Sequence, residues 1–206
     1  MEYVVLGWPP DGPTLRLHYE RFSYAGKFVM TNTGKAAVLA DDTGVDGASQ
    51  EGAGERPQER VATDEKGYAT NVLGAASFNA DRTDEGTLWL RYVTVREDRR
   101  GEGLGARLCR FVTERGRERG YEGVRIAVNN PFAYEALYKA GFGFTGDRTG
   151  LAELVLSTDA SRGAERYQEG LDAYRDRDLE PNEGVADFLA EREGASPPTV
   201  VDDPDG

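Results

Sequence analysis

Three glycines at alternate positions, Gly101, Gly103 and Gly105, lie within the octet Arg99–Ala106, RRGEGLGA. Without side chains they leave backbone N–H groups uncovered. An apolar alternating run, Leu88–Val95 (LWLRYVTV), leads into the octet, and a helical run, Leu104–Arg119, leads out of it. The helix start adds its unpaired N–H groups and the positive end of its dipole. Strand, glycine-rich loop and helix in direct succession form a cradle for a phosphate or pyrophosphate. Arg96, Arg99, Arg100, Arg107 and Arg110 add positive charge beside it.

Two phosphate-binding readings of the loop fit poorly. A Walker A loop needs G-K-[ST] after four spacer residues, and no such triplet occurs. A dinucleotide fingerprint, G-x-G-x-x-G/A, is formally satisfied by Gly101, Gly103 and Ala106. In that fold the strand runs straight into the first glycine, whereas here the charged segment Arg96–Arg100 intervenes. The acid that holds a ribose at the end of the next strand is also missing, because that strand ends in Val128-Asn129-Asn130.

A third reading accounts for more of the chain. Val93 to Gly105 has an apolar strand end, a short charged segment and then R-x-x-G-x-G. One helix and one strand later come Asn130-Pro131-Phe132-Ala133, a second helix, and Gly141-Phe142. In this order and spacing the two motifs resemble the acyl-CoA loop and the N-x-x-A…G-F segment of the GNAT superfamily of N-acetyltransferases. The resemblance covers Asn71–Leu156 well. Residues 1–40 match only as generic strands, without the family's usual N-terminal helix pair.

The resemblance implies an α/β fold with a mixed, mostly antiparallel sheet of six to seven strands flanked by helices. It implies that the strand ending at Val93, Thr94 and Val95 bulges and splays from its parallel neighbour Gly123–Val128. The pantetheine arm of acetyl-CoA would enter that gap and pair with Val93 and Val95 like an added strand. The pyrophosphate would rest on the N–H groups of Arg100, Gly101, Glu102, Gly103, Leu104, Gly105 and Ala106, and Asn130 would hydrogen-bond the pantetheine arm. Acetyl-CoA is then the co-substrate, and the acceptor is an amine on a small molecule or a protein.

Amine acetylation needs an amine freed of its proton, whose pKa is near 10.4 for a lysine-like group. It also needs a proton for the departing thiolate. The family tyrosine that supplies this proton lies four residues before the Gly of G-F. That position is Leu137 here, with Tyr138 one step later and Tyr134 on the same helix face. The expected acid is Tyr138, with Tyr134 or no tyrosine as alternatives. The strand Leu88–Val95 carries Arg91 and no carboxylate, so no base is assigned. A non-catalytic acyl-CoA-binding module, or an oligomer-building protein in which the loop is only structural, remains an alternative.

Composition bounds the rest. The 206 residues suit one well-buried domain with an appendage. Asp and Glu outnumber Lys and Arg 37 to 25, which argues against a nucleic-acid or anionic-membrane binder. Only Lys27, Lys35, Lys66 and Lys139 are lysines. An acidic, lysine-poor, glycine-rich chain resembles the proteins of halophiles, whose surface repulsion is screened by a Debye length of about 3 Å at ~1 M salt. Cys109 is the sole cysteine and His18 the sole histidine, so no disulfide forms within the chain and no metal site is expected. Neither a signal peptide nor a span of ~20 apolar residues is present, so the expected location is the cytoplasm.

The elements that would position the site follow from periodicity. Glu2–Leu6, Thr14–Tyr19, Lys35–Ala40, Asn71–Asn79, Leu88–Val95, Gly123–Val128, Phe142–Phe144 and Leu151–Leu156 read as strands. Phe22–Val29 reads as strand or one helical turn. Residues 41–68 are polar and glycine-rich and read as a mobile acidic loop within a domain spanning 1–157. Leu104–Arg119 and Pro131–Ala140 read as helices. An acidic helical extension spans 158–206, with Ala164, Tyr167, Leu171 and Tyr174 in one apolar stripe and Val185, Phe188 and Leu189 in another. These stripes pack on the parent domain or, less simply, on a second copy in a homodimer.

Overall fold

A computed structural model describes residues 1–41, 56–150, 152–177 and 183–204. Seven strands form one sheet: β1 (Glu2–Gly7), β2 (Gly34–Leu39), β3 (Val72–Ala80), β4 (Thr87–Val95), β5 (Gly123–Val128), β6 (Gly143–Thr149) and β7 (Glu153–Ser157). Their order across the sheet is β1-β2-β3-β4-β5-β7-β6. Only β4 and β5 run parallel; the other pairs are antiparallel. Four helices accompany it: α1 (Leu104–Glu118), α2 (Pro131–Lys139), α3 (Ala164–Arg175) and α4 (Glu183–Glu191).

The sheet is covered on both faces near its β1–β3 end, which is why every residue of β2 is buried. Ala36 and Val38 face the main core with Leu104, Leu108, Phe111 and Val112 of α1. Ala37 and Leu39 face a second, smaller core closed by Leu15, Leu17, Phe22 and Phe28. The two side-chain directions of one strand thus serve two cores, as a period of two requires.

Thr14–Tyr19 differs from the sequence reading. Leu15 and Leu17 are buried in alternation, yet the segment belongs to no strand. It is held by isolated bonds: Leu15 N donates to Phe28 O and Ala69 N donates to Arg16 O. Between Phe22 and Val29 only one short 3-10 turn forms, Ala25–Lys27. Residues 42–55 of the expected acidic loop lie outside the described residues. Residues 56–68 are tied down by a 3-10 turn at Pro57–Arg60, a bridge between Thr63 and Ala69, and an ion pair from Arg60 to Glu2. Leu151 and residues 178–182 also lie outside the described residues.

The C-terminal helices pack on the domain that precedes them. Tyr167, Leu171 and Tyr174 of α3 are buried with Tyr134 and Phe144 in the main core. Glu135 of α2 pairs with Arg192 just beyond α4, and Val201 N donates to Lys139 O. Arg162 donates to Tyr138 O and Pro198 O, stitching the terminal segment to the end of α2. No described helix is long and apolar enough to cross a membrane.

Candidate active site

The site begins where β4 leaves β5. The two strands pair at Thr87–Gly123, Leu88–Val124, Trp89–Arg125 and Leu90–Ile126, and the pairing stops there. At that point the partner strand β3 passes from Leu90 opposite Phe78 to Tyr92 opposite Ser77, so Arg91 is an extra residue. Such a bulge bends and twists its strand. Beyond it β4 stays paired to β3 while its other edge opens.

Which backbone groups face the opening follows from the strand's alternation. Arg96 N donates to Leu73 O on the β3 side. Thr94 shares that direction, so Val93 and Val95 turn their N–H and C=O groups to the free edge. Thr94 itself is buried, and its side chain lends nothing to the gap.

The gap is a cleft of about 250 Å³. Arg91, Tyr92 and Val93 form one wall, and Ile126 to Asn130 form the other. Gly105 and Cys109 of α1, together with Ala133, Ala136 and Leu137 of α2, complete it. Burial pushes the Cys109 thiol up to about 12, so it stays protonated and serves as packing.

At the end of β4 the chain turns through Glu97–Arg99 into the glycine loop. Gly101 and Gly103 adopt φ of 84° and 77°, left-handed values that let the chain double back and enter α1 with bare amides. Leu104 and Ala106 bury their side chains, so only their N–H groups are available to a ligand. Arg107 closes the loop by donating to Glu102 O at 2.7 Å and to Tyr3 Oη at 3.2 Å. Of the flanking arginines, Arg99 is engaged by Glu102, whose carboxyl it holds below the usual range. Arg100 points to Ser23 Oγ at 3.0 Å and is otherwise open to solvent.

Asn130 caps α2. Its Oδ1 accepts from Ala133 N at 2.8 Å, which leaves the two Nδ2 hydrogens for another acceptor in the cleft it lines. Tyr138, expected as the proton donor, is elsewhere. Its side chain is fully buried, its hydroxyl accepts from Phe144 N at 3.0 Å, and it does not line the cleft. Tyr134 is equally buried, and its hydroxyl reaches Tyr167 O at 3.1 Å. Burial pushes its phenol far above the ordinary value. One residue on an α-helix is a turn of about 100°, so Leu137 takes the cleft-facing position and Tyr138 rotates into the core.

Three cleft residues escaped the sequence reading. Tyr24 reaches the cleft mouth from the N-terminal segment, with φ 59° and its ring 5.7 Å from that of Tyr92. A left-handed tyrosine costs about 1–2 kcal/mol, and such strain concentrates at ligand clamps. Tyr92 follows the bulge. Glu153 enters from β7 because that strand inserts beside β5. The one signal in the sequence was an acid inside an apolar strand run.

A family model described as "Acetyltransferase (GNAT) family" matches residues 41–144. None of the curated proteins compared is similar to the chain. Among solved structures, a Bacillus subtilis acetyltransferase in complex with CoA is 14% identical, covering 63% of this chain and 78% of that one at a TM-score of 0.42. Nourseothricin acetyltransferase is 18% identical, covering 76% and 96% at 0.40. The PaiA N-acetyltransferase of Thermoplasma acidophilum in complex with coenzyme A is 14% identical at 0.38. The match covers 44% of this chain and only 55% of the Thermoplasma protein. The family match takes in just over half of the sequence, including the open edge of β4, the glycine loop and the Asn130 cap, and so the chain belongs to the acetyltransferase (GNAT) family.

Proposed function

We propose that the protein transfers an acetyl group from acetyl-CoA to a primary amine within a ternary complex. The observation that carries this reading is the end of β4–β5 pairing at Leu90–Ile126, which opens a backbone edge leading directly into the glycine loop. The edge at Val93 and Val95 suits the amides of a pantetheine arm, the loop amides suit a pyrophosphate, and the Asn130 donors lie between them. Acetyl-CoA is a substrate here. The acceptor nitrogen attacks the thioester carbonyl, the C–N bond forms, and the C–S bond breaks with the electron pair leaving on sulfur.

The thiolate then takes a proton. Tyr24 and Tyr92 are the phenols lining the cleft, and we assign that role to one of them, or to water beside them, in place of Tyr138. Leu137 at the family's tyrosine position favours a second reading, an acyl-CoA-binding module without catalysis. Calorimetry with acetyl-CoA, followed by amine-dependent release of free CoA thiol, separates the two. Binding with release supports transfer, and binding without release over a broad amine panel supports the module. No binding by folded protein removes both.

The acid excess and the scarcity of lysine support work in a salt-rich cytoplasm. Acetyl-CoA binding that persists in multi-molar KCl is the corresponding test.

A further inference from the structure

The cleft shares a wall with a second hollow of about 480 Å³. Arg91, Tyr92, Ala127 and Glu153 line both. The second hollow extends away from the glycine loop toward Asp81, Arg82, Trp89 and Thr149. If acetyl-CoA occupies the cleft, an acceptor enters from this side, and the shared residues are those that meet it at the thioester.

Two of these four are charged, with opposite signs, and they do not pair with each other. Arg91 Nε donates to Asn79 Oδ1, and the guanidinium lies 5.1 Å from the Trp89 ring centre. Both contacts fix the plane of the fork. Its terminal nitrogens make no ion pair among the described residues, although the chain carries 37 acids. The Glu153 carboxylate makes no ion pair or hydrogen bond among the described residues either. Ala127 of β5 pairs with Val155 of β7, two residues from Glu153, so Ala127 and Glu153 share a face of the sheet. One strand, β5, therefore lies between the strands that carry Arg91 and Glu153, at least ~10 Å apart across the sheet, and the two side chains line the same two hollows.

Of the remaining charges, Asp81 and Arg82 both act on Arg91 through space, Asp81 favouring its charge and Arg82 opposing it, and neither makes an ion pair with it among the described residues. Asp81 accepts from Trp89 Nε1, Thr83 N and Thr83 Oγ1. Arg82 is exposed at the rim.

We propose that Arg91 and Glu153 select an acceptor carrying a carboxylate as well as its primary amine. This rests on the acetyl-transfer reading above. The Arg91 fork matches a carboxylate bidentately. Glu153 binds the ammonium and takes one proton from it. The freed lone pair forms the C–N bond as the C–S bond breaks, and the second proton lost from nitrogen passes to the departing thiolate. The net products are the amide, CoA thiol and one proton released to solvent from Glu153.

The test uses full-length protein, acetyl-CoA, ω-amino acids of two to six carbons, and alkylamines and diamines of matching length. The expected result is a kcat/KM roughly 10- to 100-fold higher for the best ω-amino acid than for its alkylamine, the range set by a charge-assisted hydrogen bond. Arg91→Gln is expected to collapse that ratio toward one, and Glu153→Gln to lower kcat/KM for both series by roughly tenfold or more. Arg91→Lys keeps the charge without the fork, and its ratio falls between the two. Alkylamines or diamines preferred by the unaltered protein, a ratio unmoved in Arg91→Gln, or turnover of no probe by protein that binds acetyl-CoA each overturn the proposal. Failure to bind acetyl-CoA overturns the acetyl-transfer reading itself.

Discussion

The Tyr138 hydroxyl accepts a hydrogen bond from the backbone N–H of Phe144 at 3.0 Å, joining the last turn of α2 to the start of β6. Both groups are buried, so no water replaces either partner. Tyr138→Phe leaves the Phe144 N–H without its acceptor, at a cost of about 1–3 kcal/mol. The expected result is a lower denaturation midpoint with acetyl-CoA affinity and turnover changed by less than about twofold. Turnover reduced tenfold at unchanged stability would instead make Tyr138 the proton donor and put the cleft assignment in error. Tyr24→Phe and Tyr92→Phe complete the comparison, with the turnover loss expected in one of them.

Gly103 immediately precedes α1, at φ 77°, and its N–H is one of the amides proposed above to hold the pyrophosphate. Gly103→Ala adds a methyl group whose nearest neighbour is the Arg107 guanidinium at 3.9 Å, so the cost is the left-handed backbone, about 1 kcal/mol. Gly103→Glu adds bulk and a negative charge where a pyrophosphate would rest. Calorimetry is expected to show acetyl-CoA affinity reduced more than tenfold by Glu and only modestly by Ala. Equal affinity in the two variants would remove the pyrophosphate from this loop.

What the sequence revealed divides along physical lines. Local periodicity marked β2 through β5, α1 and α2, because each buries one stripe or both faces, and burial shapes composition directly. The same logic misread Thr14–Tyr19, where Leu15 and Leu17 alternate inward without any strand partner. Alternation reports burial and not pairing. The glycine loop was visible because left-handed turns demand glycine. A bulge and splay in this strand followed from the family resemblance, but its place at Arg91 did not, because it is an offset between two strands and leaves no mark in either. Glu153 reaches the cleft only through the strand order β5-β7-β6, a long-range property. Tyr138 was named for its proximity to the expected position, and the helix turned that single step into a move from cleft to core.

Lys35 is completely buried, and its ammonium donates to Met30 O, Thr33 O and Thr33 Oγ1 at 2.7, 2.8 and 2.7 Å. Three acceptors match three donors, but no carboxylate is among them, and burial lowers its pKa to about 8 from 10.5. The unfolded chain therefore holds this proton more tightly than the folded one. Stability then rises with pH from about 8 until the unfolded lysine titrates. Denaturant melts at pH 7.5 and 9.5 are expected to show an increase of about 1–3 kcal/mol from this group. Lys35→Met should lack the increase while being less stable at both pH values, since it strands the three oxygens. Parallel pH dependence in the two proteins would show that Lys35 stays charged throughout.

Glu135 anchors the C-terminal segment. It is buried in α2, with Lys139 Nζ 2.8 Å from Oε1 and the Arg192 guanidinium on both carboxylate oxygens. Burial alone would raise its pKa, but the bonds from Arg192 and Lys139 outweigh it and the net shift is downward. A depressed carboxyl contributes stability that is complete above its unfolded pKa, near 4.5, and is lost as pH falls through the lower folded value. Glu135→Gln is expected to cost about 1–3 kcal/mol at pH 7, less than a fully buried pair because Arg192 and Lys139 keep some solvent. The loss should appear first as faster proteolytic cleavage around α4, with the sheet intact. Between pH 5 and 3 the unaltered protein should lose stability more steeply than Glu135→Gln, so that the two converge. Curves that stay parallel across that range would mean the clamp is held by Gln168 and Arg162 instead, whose bonds to Arg192 O, Ala195 O and Pro198 O carry no titrating group.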